Sequence, residues 1–291
     1  MKLDVIINTY NDEDNIESFF NNLKEELKRI KTTYIFIDNG STDKTNEIIK
    51  KIHNNNEDCV KIITLSKKFE EDSVIIVGLR HSTNDLACIT DCKYKNNYTY
   101  ISKMYDYLVE NETCDSVCLC NKVVKSKLQI YKEKILNKIF NYKDYDGITN
   151  YRMLKRNMIN GIIEYSKYNA FNSCMFMEIG FNTHYEKTNR TTNTSLKCNN
   201  NYKILNIMAI LSLITSIFSI IGILFIIINN LVNGVKIPGY STIIITVLIF
   251  LIIQLMHNTI TIELFKNNYL EKNNKILYII KEKIGFEEEI L

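Results

Sequence analysis

The sequence predicts an α/β domain with a mostly parallel sheet, followed by two membrane-spanning helices. Three observations carry that expectation. Short apolar runs alternate with amphipathic stretches through the N-terminal part of the chain. Each run closes on small polar or acidic residues. Two long uncharged runs then occupy most of 204–262.

Residues 3–9, LDVIINT, are apolar almost throughout, as a strand buried on both faces is, and with no basic flank and apolar region of signal-peptide length no cleaved signal is expected. The next stretch repeats apolar residues at helical spacing (Ile16, Phe19, Phe20, Leu23, Leu27), with acidic residues in its first turn. TYIFID predicts a second strand ending at Asp38, and NGSTDKT turns the chain into the helix NEIIKKIHN. VKIITL predicts a third strand, followed by a helical stretch with Val74, Val77 and Leu79. LACITD predicts a fourth, ending at Asp91. Ligands of such sheets bind beyond the carboxyl ends of the strands, here Thr9-Tyr10-Asn11, Asp38-Asn39-Gly40 and Asp91. By spacing alone Asp38 and Asp43 are equally suited to capping their turn and helix.

The uncharged run 204–232 exceeds the ~20 residues that cross a bilayer core, and 240–262 repeats the pattern after a short connector. Lys197, Lys203, Lys266 and Lys272 flank the pair, against Lys236 alone between the runs. The positive-inside rule therefore predicts a multi-pass hairpin with both ends cytoplasmic. The expected organisation is a domain over 1–200, two helices within 203–265 and a cytoplasmic tail over 266–291. Packing between protomers is common for such hairpins, so a homo-oligomer is compatible with it. Residues 125–143 set Leu128, Tyr131, Ile135, Leu136, Ile139 and Phe140 on one helical face among six lysines. An interfacial helix and an ordinary surface helix fit this pattern equally.

Lys+Arg 36 against Asp+Glu 33 is too balanced for a nucleic-acid partner. The mean hydropathy of −0.11 averages over the charged first 200 residues and the apolar run that follows. Eight cysteines form no C-x-x-C pair and have no His partner at ligand spacing, which predicts reduced, mostly buried thiols rather than zinc ligands.

At this point the residues carry a resemblance. VIINTYNDEDNI and YIFIDNGSTDKT resemble the two opening signatures of family 2 glycosyltransferases. ITLSKKFEEDSVIIVGLRHSTNDLACITD is similar to the stretch leading to that family's Asp-x-Asp strand. NYRMLKRNMINGI resembles its Asp-Phe-Arg-Leu-x-x-Arg segment, and YEKTNRTTNTSLK its Arg-containing segment before the membrane. The double span with PGY between the helices resembles the polyprenyl-phosphate branch, which includes dolichol-phosphate mannosyltransferases and bactoprenol glucosyltransferases.

The resemblance implies a GT-A type fold and inverting transfer of a hexose from a nucleotide sugar to a polyprenyl phosphate. It implies nucleotide-sugar contacts from Thr9, Asn11, Asp38, Asn39 and Asp91, and acceptor-phosphate contacts from Arg152, Arg190 and Lys197. Asp91, Lys93, Arg152 and Arg190 are the implied catalytic set.

The sequence departs from the family at four places. The metal motif Asp-x-Asp-x-Gln reads Asp91-Cys92-Lys93-Tyr94-Lys95, and ammonium groups do not coordinate Mg²⁺ or Mn²⁺, so either ion is disfavoured as a cofactor and Asp91 is the one retained candidate ligand. Asn150 stands where an Asp precedes the aromatic-Arg pair, and Asn121 where an Arg follows the strand DSVCLC. SKKFEE lacks the usual Asn and Gly. Three functions fit: a transferase in which Lys93 or Lys95 replaces the metal, a nucleotide-sugar or lipid-phosphate binder without turnover, and an inactive structural partner in a membrane complex.

Overall fold

Strands β1 (Leu3–Thr9), β2 (Thr32–Asp38), β3 (Val60–Leu65) and β4 (Leu86–Asp91) lie where the apolar runs predict them. The computed structural model describes residues 1–92, 98–123, 147–166, 171, 173, 175–192 and 278–286, with scattered positions between 221 and 260. Helices α1 (Ile16–Glu26), α2 (Thr45–Asn54) and α3 (Glu71–His81) connect the four strands, and α4 (Tyr98–Glu110) leads to β5 (Ser116–Val123). Beyond it come β6 (Ile148–Lys155), α5 (Arg156–Tyr165), α6 (Met175–Glu178), β7 (Thr183–Thr192) and β8 (Ile280–Ile284).

One eight-stranded sheet runs in the order β7-β5-β6-β4-β1-β2-β3-β8. β1 pairs in parallel with both β2 and β4, and β2 with β3. β6 enters antiparallel between β4 and β5, and β8 closes the far edge antiparallel to β3. Helices cover both faces, so a strand at the centre of the sheet buries alternate side chains in two different cores. Val5 and Ile7 of β1 pack with Phe20 and Leu23 of α1, whereas Ile6 packs with Val74 and Leu79 of α3. That double burial is why these strands read as unbroken apolar runs. Gly78 sets how closely α3 approaches β1, since a Cβ there would lie 2.3 Å from Ile6 Cγ2.

The segment expected as a plain tail supplies β8. Ser66 N–H donates to Ile279 O at 2.9 Å, Lys50 pairs with Glu282 at 2.7 Å, and the Phe286 ring meets His81 edge-on. Residues 1–198 and 276–291 accordingly form one unit and 199–275 another. Removing 276–291 from the full chain bares the β3 edge. Its expected result is an unfolding midpoint several degrees lower, at roughly 2–4 °C per kcal/mol, with faster aggregation by light scattering.

The expected spans 204–232 and 240–262 fall mostly outside the described residues. Among the described residues no helix is long and apolar enough to cross a membrane. The basic segment 125–143 lies wholly outside them, as do Lys93, Lys95 and Lys197. The cysteine expectation can be compared at six free thiols, of which Cys88, Cys92, Cys114 and Cys118 are buried and Cys59 and Cys120 half-buried.

Candidate active site at the carboxyl edge of the sheet

The register gathers the strand ends. Thr9 pairs with Asp38, Asp38 with Thr64, and Asn8 with Asp91, so four neighbouring strands end on one line. The two loops that leave this line after β1 and β2 are laced together. Asn11, in the left-handed region at φ 52°, accepts from Thr42 N–H at 2.9 Å, and its own N–H donates to Ser41 Oγ at 3.1 Å. Asp12 N–H donates to Thr45 Oγ1 at 2.8 Å, and Lys44 N–H to Glu13 Oε2 at 2.9 Å. An Asn tolerates that backbone conformation better than other residues with a Cβ, which accounts for its place at the turn.

The sequence-predicted nucleotide residues meet here, and their side chains build the lip from beneath. Asp38 is 1% exposed; one carboxylate oxygen accepts from Ser41 N–H at 3.0 Å and the other from Asn46 Nδ2 at 2.8 Å. The same Asn46 nitrogen reaches Thr64 Oγ1 at 3.0 Å. Asn39 is matched at both ends to one residue, donating to Phe69 O at 2.9 Å and accepting from Phe69 N–H at 2.8 Å. Thr9 is fully buried and donates to Ile37 O. The capping role and the strand-edge position therefore coincide in Asp38, a coincidence that spacing left open.

Gly40 is what allows the β3–α3 loop to lie against this turn. It sits at φ 71°, and a Cβ there would stand 2.5 Å from the Lys67 carbonyl carbon. Gly40→Ala combines left-handed backbone strain with a backbone clash. The expected loss is about 1–3 kcal/mol in denaturant unfolding, with weaker nucleotide binding. The adjoining Lys68 ammonium lies 3.8 Å above the Tyr10 ring, a cation–π contact that brings a positive charge to the lip.

Asp91 closes β4, and its partner comes from β6. The Tyr151 hydroxyl donates to Asp91 Oδ1 at 2.7 Å and accepts from Asp91 N–H at 3.1 Å. Burial and the Asp91 charge push the phenol pKa well above its ordinary value, so Tyr151 remains a donor. Of the three positions that carry the family's metal motif, Lys93 and Lys95 supply ammonium groups and Asp91 alone a carboxylate, one of whose oxygens already accepts this bond. That motif offers a divalent cation one carboxylate in place of two, and among the described residues no group of three His, Cys, Asp or Glu side chains could hold one.

On β6, Arg152 is only 2% exposed, its guanidinium 3.9 Å from the centre of the Phe176 ring and bonded to Thr149 O at 2.8 Å. Among the described residues its Nε has no hydrogen-bond partner, and burial lowers its pKa. Asn150 donates to Glu71 of α3 at 2.8 Å, which ties β6 to the first turn of that helix. Nearby, Asp72 accepts a bond from Ser173, and burial raises its pKa. Asn121 accepts from Thr188 at 2.5 Å and joins β5 to β7. Arg190 lies on β7. Sequence reasoning passed over Asn46, Phe69 and Tyr151; only Tyr151 left a signal, a hydroxyl where the resembled motif has Phe.

A mostly parallel α/β sheet with acidic strand ends, loops laced over them and an antiparallel strand carrying a buried Arg makes the carboxyl edge the candidate site. The chain belongs to glycosyl transferase family 2, whose sequence pattern matches residues 4–167, and the GT-A type of sheet goes with that membership. It is 29% identical over 304 residues to CsbB of Bacillus subtilis (strain 168), covering 96% of this chain and 91% of that protein. It is 23% identical over 312 residues to the bactoprenol glucosyl transferase of Shigella phage SfX, covering 97% and 100%. A shorter match, 26% over 106 residues and covering 36% and 30%, joins it to the dolichol-phosphate mannosyltransferase of Pyrococcus furiosus. The last two bear names of the polyprenyl-phosphate branch that the motifs resemble.

Proposed function

We propose that the protein is a membrane-anchored transferase that moves a hexose from a nucleotide sugar to a polyprenyl phosphate without the family's usual metal site. The observation that carries this reading is similarity along nearly the whole chain, apolar region included, to a bactoprenol glucosyl transferase. In the proposed reaction an acceptor phosphate oxygen bonds to the anomeric carbon as the bond to the nucleoside diphosphate breaks. The configuration inverts, and the diphosphate leaves with the electron pair. The Asp38 and Asp91 edge receives the nucleotide sugar, and Lys93 puts positive charge against the leaving diphosphate. Arg152, Arg190 and Lys197 receive the acceptor phosphate; a buried guanidinium with an unpartnered Nε supports the place of Arg152 in that set.

Two observations support the membrane anchor. Described helical positions in the apolar region, among them Leu231, Val232, Phe250 and Ile253, carry exposed apolar side chains. The strand β8, which follows the apolar region in the chain, also pairs with β3 in the sheet formed by the strands that precede that region. A chain that leaves a sheet and returns to it crosses a bilayer an even number of times, in keeping with a hairpin. Lysine-rich flanks put both ends in the cytoplasm.

A second reading is an inactive relative that binds or supports partners in a membrane complex. The inward hydrogen bonding of Asp38, Asn39 and Thr9 favours it. The deciding assay gives purified full-length protein a panel of nucleotide hexoses and polyprenyl phosphate, with and without EDTA. The expected result is product that survives EDTA and is lost in Lys93→Ala. Absence of both product and nucleotide binding leaves the second reading standing.

A further inference from the structure

We infer that the Tyr151 hydroxyl is a positioning group for Asp91, a second point of attachment built into this chain where the metal motif is depleted. The inference rests on the glycosyl-transfer reading and specifies how its site is held. Three observations lead to it. Asp91 is the last residue of β4, so only one side of its backbone is fixed by the sheet. The motif that this segment resembles reads Phe at the position of Tyr151, so the hydroxyl is an addition to that motif. That hydroxyl is used in both directions on one residue, donating to Oδ1 at 2.7 Å and accepting from the backbone N–H at 3.1 Å.

A bond to both the main chain and the carboxylate of the same residue fixes the Asp91 side-chain torsion. Tyr151 is itself held by packing: the residue is 6% exposed and belongs to the core that includes Leu119 and Met153. In a site with a divalent ion, the ion would orient the carboxylates around it. Here a phenol anchored in the core of the domain does so, and it spans 60 residues of sequence to reach its partner. Preorganisation of this kind acts on the geometry of the reacting complex more than on the affinity for substrate.

The test measures steady-state transfer, nucleotide-sugar binding and thermal unfolding for the full-length parent, Tyr151→Phe, Asp91→Asn and the double variant. Tyr151→Phe keeps the buried ring and matches the family's residue, so folding is expected to persist. The expected result is a kcat roughly 10–100-fold lower with KM changed less than about threefold, the range for loss of a group that orients another. In the Asp91→Asn background the same change is expected to add less than about twofold, because the negative charge that Tyr151 positions has been removed. Tyr151→Phe turnover within twofold of the parent overturns the inference, as does a loss that multiplies fully with Asp91→Asn. A parent with neither turnover nor nucleotide-sugar binding overturns the glycosyl-transfer reading and this inference with it. An active parent with an unaffected Tyr151→Phe variant overturns this inference alone.

Discussion

Asp91→Ala is expected to lower hexosyl transfer by roughly 10²–10³-fold while the domain remains folded. The activity term is large because, in the proposed site, Asp91 is the single carboxylate retained from the motif and holds the nucleotide sugar by accepting from its hydroxyls, with Lys93 and Lys95 at the other positions. Removing one preorganised charged group from a water-excluded site has effects of that order. The stability term is small for a reason visible in the hydrogen bonds. The Tyr151 hydroxyl loses Oδ1 as acceptor, yet the Asp91 carbonyl oxygen lies 3.2 Å away and can take the proton, and the Asp91 N–H still donates to the phenol. The cost therefore falls near the bottom of the roughly 1–3 kcal/mol that follows from stranding a buried polar group. Asp91→Asn separates charge from shape: it keeps a carbonyl acceptor for Tyr151 and removes the negative charge. Parallel measurements of turnover and melting temperature on the two variants check both halves. Turnover within a few-fold of the parent in both would remove Asp91 from the site.

The first four strands were legible because burial on both faces writes itself into the sequence as continuous apolar residues, seen in VIIN of β1 and YIFI of β2. β8 was not legible, and its composition explains why. IKEKI is an edge strand with Lys281, Glu282 and Lys283 exposed, and charge on an edge is how sheets discourage further pairing. Nothing local distinguishes such a segment from a charged tail; only its pairing with β3 does. The line of strand ends could be read from topology, since ligand sites of parallel sheets lie beyond carboxyl termini. What the side chains at that line are bonded to could not. Asn39 finds Phe69 at a separation of 30 residues, and Asp91 finds Tyr151 at 60. Spacing rules describe neighbours on one helix or strand and are silent on such pairs. Arg152 shows the same limit, because the motif nominated a phosphate ligand and the fold seats it against Phe176.

Asp38→Asn is expected to leave the melting temperature nearly unchanged and to weaken nucleotide-sugar binding about 10–100-fold. The fold can absorb this substitution through its neighbour. The new amide keeps an oxygen for Ser41 N–H, and its nitrogen comes to face Asn46 Nδ2, donor against donor. A half-turn of the Asn46 amide removes the conflict: its oxygen then accepts from residue 38 and from the Thr64 hydroxyl, which it already contacts. Every buried group ends satisfied, so stability changes by less than about 1 kcal/mol. Binding has no such remedy. A hydrogen bond to a charged acceptor contributes roughly 1.5–3 kcal/mol, which corresponds to the stated loss of affinity, and the amide no longer provides the charge. Asp38→Ala differs in kind, since it strands Ser41 N–H and Asn46 together and lowers stability and binding at once. Calorimetric titration with a nucleotide sugar, alongside thermal unfolding of both variants, separates the roles of this carboxylate. Affinity in Asp38→Asn equal to the parent's would make Asp38 a cap for the turn and nothing more, and the nucleotide edge would then rest on Asp91.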